Sequence, residues 1–161
     1  MPEPSTSPAC DELYDWVAGL GPRASILRMP EGVVTHVEQV RFRDLDQMGH
    51  VNNAVFLTYL EQARVAFFAE VEAATGLEDM NMIVARVEID FKAPVRLGQE
   101  VEVSVRASRF GTKSFDLDYE LRVGGEIVAS AKSVCVGYDY DRGETIAIPE
   151  DWREKLTAVA A

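Results

Sequence analysis

The sequence predicts an α+β domain in which an antiparallel sheet of five to six strands wraps around one long central helix. Three observations carry that expectation. Phe56, Tyr59, Leu60, Ala63, Phe67 and Val71 recur at helical spacing, and Val55, Ala66 and Phe68 widen their stripe beyond what a surface helix needs. Downstream, four runs alternate apolar and polar residues with the period of half-buried strands. A chain of 161 residues holds about one core, so the wide helix and the one-sided strands must cover each other.

Residues 1–9 are rich in Pro and Ser and read as a loosely attached tail. Residues 11–20 suit a short helix with Leu13, Trp16, Val17 and Leu20 on one face, stopped by Gly21 and Pro22. Residues 21–32 read as irregular linker. Residues 1–32 thus form an N-terminal extension, and the folded domain spans 33–161. Its first strand covers residues 33–43, rich in β-branched side chains, with Val40 and Phe42 on one face. The turn DLDQMGHVNN follows, its Asp, Gly and Asn residues suited to side-chain-to-backbone bonds and positive φ.

Asn52 or Asn53 caps the helix, which runs over residues 54–75 to a C′ glycine at Gly76. Strands follow at residues 85–92, closed by Pro94, then at 101–107 and 115–123. Gly124-Gly125 makes a two-residue hairpin into the last strand, residues 127–138. The four read as a meander. A terminal helix over residues 149–159 completes the domain.

The formal net charge is −11 and the pI about 4.6, which argues against nucleic acid as a partner. No apolar run approaches the roughly 20 residues of a membrane span. The N-terminal residues lack the basic and apolar regions of a secretory signal. Cys10 and Cys135 are too few for a disulfide framework or a zinc site, and Cys135 in its apolar run is a core residue. Together these features fit a reducing cytoplasm.

The organising stretch is residues 41–64. It ends in D-x-D-x-x-G-H-V-N-N-x-x-F-x-x-Y-x-E-x-A-R, from Asp44 to Arg64. An acid, an imidazole and an amide (Asp46, His50 and Asn53) crowd the turn just before a helix. A helix start offers unpaired N–H groups and partial positive charge, which polarise a carbonyl oxygen beside a fixed carboxylate. With the helix and the strands, residues 33–138 resemble hotdog-fold thioesterases of the 4-hydroxybenzoyl-CoA thioesterase type.

The resemblance implies an acyl-CoA thioesterase with Asp46 as the catalytic carboxylate and an N–H at or near Asn53 receiving the oxyanion. His50 is placed to orient water or the thioester carbonyl. The carboxylate attacks the thioester directly or serves as general base on water; the residues leave both routes open. Arg109, Lys113 and Ser114, in SRFGTKSF, are expected near the nucleotide end of coenzyme A. Their other reading is a solvated basic turn.

No metal or redox cofactor is implied, coenzyme A entering as part of the substrate. The family pairs edge to edge, which implies a homodimer or homotetramer with the site at the interface. Asp44, Glu61 and Arg64 are expected as a structural charge cluster, with Glu61 the reserve carboxylate. Two departures stand out: Phe56 occupies a position where many members carry Tyr, and residues 1–32 have no counterpart. Competing readings are an acyl-ACP thioesterase, a hydratase acting on enoyl-CoA, and a non-catalytic acyl-CoA-binding module.

Overall fold

The computed structural model describes residues 27–29, 33–71 and 81–160. The strands are β1 (Leu27–Met29), β2 (Val33–Gln39), β3 (Met82–Phe91), β4 (Glu100–Phe110), β5 (Ser114–Val123), β6 (Glu126–Asp139) and β7 (Glu144–Thr145). The helices are α1 (Asn53–Glu70) and α2 (Glu150–Ala160), with a 3-10 turn at Phe42–Asp44. The sheet is antiparallel in the order β1-β2-β4-β5-β6-β3, with β7 paired to the end of β6. The expected architecture, a sheet wrapped around one central helix, is the one observed.

Helix α1 packs chiefly on β2 and β4. Val101, Val103, Val105, Leu117 and Leu121 are all fully buried and share one core with Leu60, Ala63 and Phe67 of the helix. Phe68, in the last turn of α1, meets Phe115 of β5 and Trp152 of α2 at ring-centroid distances of 6.0 and 5.4 Å. Trp152 and Leu156 bury the apolar face of α2, which covers β4. At Gly124 and Gly125 φ is +57° and +87°, the paired positive values of a tight hairpin turn that matches strand twist.

Several sequence expectations need correction. The stretch read as linker contributes β1, whose Leu27–Met29 pair with Val33–Thr35. β2 stops at Gln39 instead of Arg43, and Phe42 is 81% exposed at the start of the 3-10 turn. The cause is local: the Asp44 carboxylate captures the Arg41 N–H at 2.8 Å and turns the chain. Only β4, β5 and β6 form a meander. β3 pairs with β6 at the far edge, because residues 92–99 carry the chain across to the other side of the sheet. Helix α1 ends at Glu70. Residues 72–75, the rest of the expected helix, lie outside the described residues, as does the helix expected at 11–20.

Candidate active site

The turn between the first 3-10 turn and α1 is a miniature hairpin. Leu45 and Val51 form an antiparallel bridge, and the Asp46 N–H donates to the His50 carbonyl at 2.7 Å. Gly49, at φ +77°, allows the reversal. The N–H groups of Met48 and His50 donate to Asp46 Oδ1 at 2.8 and 3.2 Å. Both bonds fall on one oxygen, so among the described residues Oδ2 of Asp46 has no partner. Asp46 and His50 are both half-buried. No side chain among the described residues bonds to the His50 ring.

The hairpin is sewn to its surroundings through backbone. Val51 donates to the Val95 carbonyl at 2.8 Å, and His50 bridges Arg96 in the β3–β4 connection. Asn52 caps α1, its Oδ1 accepting the Ala54 N–H at 2.9 Å. Asn53 is the first helical residue, and among the described residues its N–H meets no acceptor. An unpaired N–H at the positive end of an 18-residue helix is a ready donor for a developing oxyanion. Asp46, His50 and Asn53 are thus brought together on one turn and one helix start.

Arg109, Lys113 and Ser114 lie elsewhere. Phe68 in the last turn of α1 packs on Phe115, next to Ser114, so this hairpin sits about 20 Å along the helix from Asn53. Arg109 makes a two-pronged pair with Asp116, at 3.0 and 2.8 Å, which holds the guanidinium more firmly in its charged form. Lys113 Nζ donates to the Thr145 carbonyl at 2.9 Å and to its hydroxyl at 3.2 Å. Ser114 accepts the Gly111 N–H through its carbonyl, closing the turn.

The charge cluster expected among Asp44, Glu61 and Arg64 does not form. Buried Asp44 accepts the Tyr59 hydroxyl at 2.9 Å, Glu61 is exposed, and Arg64 acts on the buried Tyr119 hydroxyl. The i, i+3 spacing of Glu61 and Arg64 left open which way each side chain leans, and Tyr59, fifteen residues from Asp44, gave no local signal. Among the described residues no three His, Cys, Asp or Glu side chains are grouped to hold a metal ion.

Comparison with known proteins follows the same lines. Residues 40–156 match the family model described as the thioesterase-like superfamily. A Thermus thermophilus thioesterase solved with coenzyme A and Zn superposes with a TM-score of 0.74 and 38% identity, covering 82% of this chain and 97% of that one. The long-chain acyl-CoA thioesterase FadM of Escherichia coli is 28% identical over 73% of this chain and 92% of its own. The 1,4-dihydroxy-2-naphthoyl-CoA hydrolase of Synechococcus elongatus is 26% identical over 70% of this chain and 89% of its own.

Proposed function

Because the chain belongs to the thioesterase-like superfamily, we propose that it hydrolyses acyl-CoA thioesters to a free carboxylic acid and coenzyme A. The observation that carries this reading is the Asp46 carboxylate, anchored through one oxygen with the other unpartnered among the described residues, on the turn that leads directly into a helix whose first N–H, that of Asn53, is also unpaired among them. The thioester carbonyl oxygen accepts from that N–H as negative charge develops on it. Asp46 either attacks the carbonyl carbon, giving a mixed anhydride that water cleaves, or takes a proton from the attacking water. In both routes the carbon–sulfur bond breaks and coenzyme A leaves as its thiolate, which then takes up a proton. His50, on the same turn, orients the water and returns a proton. Water is the second reactant in both routes, and the reading calls on no metal or redox cofactor. The named relatives act on acyl-CoA substrates, which favours coenzyme A over a carrier protein as donor.

The reading extends to a homodimer formed through β3. This strand ends the sheet, and Val87 and Phe91 on it are 36% and 45% exposed. An unpaired apolar edge is the natural place for a second copy to add its own β3. Antiparallel pairing inverts the strand ends. Met82 lies at the hairpin end of the sheet, near Val136 and Ser114, whereas Phe91 contacts Phe56 near the helix start. A two-fold dimer therefore draws the hairpin of the second subunit towards Asp46 of the first. In that setting Arg109, Lys113 and Ser114 take the phosphate-bearing end of coenzyme A, which a chain of charge −11 holds only with local cations. Among the described residues no helix is long and apolar enough to cross a membrane. With its free buried thiol Cys135, the protein fits work in the cytoplasm.

The test is thiol release from a panel of aromatic, short, branched and long-chain acyl-CoA thioesters. Turnover of at least one supports the reading; binding of acyl-CoA without release from any of them contradicts it.

A further inference from the structure

Asp44 stands between the catalytic turn and the rest of the fold, only 6% exposed. Its Oδ2 accepts two donors: the Arg41 N–H at 2.8 Å and the Tyr59 hydroxyl at 2.9 Å. Its carbonyl accepts the N–H of Asn52, the cap of α1, at 2.8 Å. One residue therefore ties together the 3-10 turn before the site, the second turn of the helix and the helix start. The segment carrying Asp46 and His50 leaves from Asp44 and returns to it through Asn52.

We propose that Asp44 and Tyr59 are positioning residues, a clamp that keeps the Asp46 carboxylate in register with the Asn53 N–H. The inference rests on the reading of Asp46 and Asn53 given above. Tyr59 is 2% exposed, and its ring packs against Phe56 at 6.1 Å. Burial first, then the bond to Asp44, then the charges of Asp44 and Glu38 raise its pKa well above the ordinary tyrosine value. The hydroxyl thus stays a donor across the working pH range, and the bond to the carboxylate is maintained. A hydroxyl that merely satisfied its own burial would be served by any acceptor. This acceptor is bonded through its carboxylate on one side of the catalytic turn and through its carbonyl on the other. Loosening it lets the helix start drift relative to Asp46, and a misplacement of about 1 Å costs roughly 10²-fold in rate.

The experiment compares kcat and KM of the wild type, Tyr59→Phe, Asp44→Asn and Asp46→Asn on one thioester. It adds backbone amide exchange for the wild type and Tyr59→Phe. Tyr59→Phe keeps the ring packing and removes only the hydroxyl. Asp44→Asn can place its amide oxygen where Oδ2 sits and accept both bonds.

The clamp predicts that Tyr59→Phe loses about 10- to 100-fold in kcat with KM within about twofold, while Asp44→Asn retains most of its turnover. It also predicts faster exchange in Tyr59→Phe confined to residues 46–53. Wild-type turnover in Tyr59→Phe, or faster exchange spread evenly over the sheet, overturns the inference. If Asp46→Asn matches the wild type, it is the Asp46 reading that fails. Amide exchange then decides the clamp alone, and unchanged exchange at residues 46–53 overturns it.

Discussion

The backbone N–H of His50 donates to Oδ1 of Asp46 at 3.2 Å, so the carboxylate proposed to act on the thioester is held by the backbone of the residue whose imidazole is proposed to assist it. The bond closes a turn of five residues whose other anchor, Met48 N–H, lands on the same oxygen at 2.8 Å. The geometry costs the site no side-chain partner: both anchors are backbone, and among the described residues the second carboxylate oxygen has no hydrogen-bond partner.

The helix start should be sensitive to its cap. Asn52→Ala removes the acceptor for the Ala54 N–H and is expected to lower unfolding free energy by about 0.5–2 kcal/mol. Asn52→Asp, which keeps the acceptor, should restore it. Chemical denaturation of the three proteins checks this, and equal stability in all of them argues against the capping role.

Phe68 joins three parts of the fold, touching Phe67, Phe115 and Trp152. Its truncation to Ala leaves a cavity between α1, β5 and α2, with an expected loss of roughly 3–5 kcal/mol. A loss under about 1 kcal/mol in urea unfolding would mean that α2 does not pack there as described.

The fold class was legible because its two periodicities are strong. A broad stripe every third or fourth residue demands a covered helix, and alternation every second residue demands one-sided strands. The Gly124-Gly125 hairpin is equally local. What alternation reports is the face of a strand, not its neighbour, so the placement of β3 beside β6 was beyond it. The same holds at the site. Asp46, His50 and Asn53 share a short turn and are visible together. The Asp44–Tyr59 bond spans fifteen residues and depends on how helix and turn dock. Arg109 reads as a free cation until the register of β4 and β5 sets it against Asp116.

Burial pushes the Cys135 thiol up to about 11, against roughly 8.5 in an unfolded chain. Between these values the folded protein keeps a proton that the unfolded chain has lost. The stability this group supplies is intact below pH about 8.5 and declines as pH rises through about 11, by an amount on the order of 3 kcal/mol. The fall in stability over that window should be shallower in Cys135→Ala. Parallel curves for the two proteins would show that the thiol does not titrate late.

Among the described residues the Lys113 ammonium bonds to exposed Thr145 alone, and the Gly137 N–H that Lys113 also accepts lands on its backbone carbonyl, so removing the side chain should leave the fold intact. In the dimer reading, Lys113→Ala raises KM for acyl-CoA by about tenfold with little change in kcat, as for loss of one charge-assisted contact. It should not alter turnover of a truncated pantetheine thioester. An unchanged KM for acyl-CoA removes the hairpin from the coenzyme A site. Sedimentation at working concentration tests the dimer itself, which predicts two or four times the 17.8 kDa chain mass; a monomer carrying full activity contradicts it.

Whether the Asp46 carboxylate performs the chemistry is decided by kcat for Asp46→Asn beside the wild type on the preferred thioester. The amide keeps an oxygen for the Met48 and His50 N–H groups while losing the charge and the basic oxygen. The expected result is a fall in kcat of about 10²- to 10⁴-fold with KM little changed. Turnover within a few-fold of the wild type would contradict it and move the chemistry to another residue.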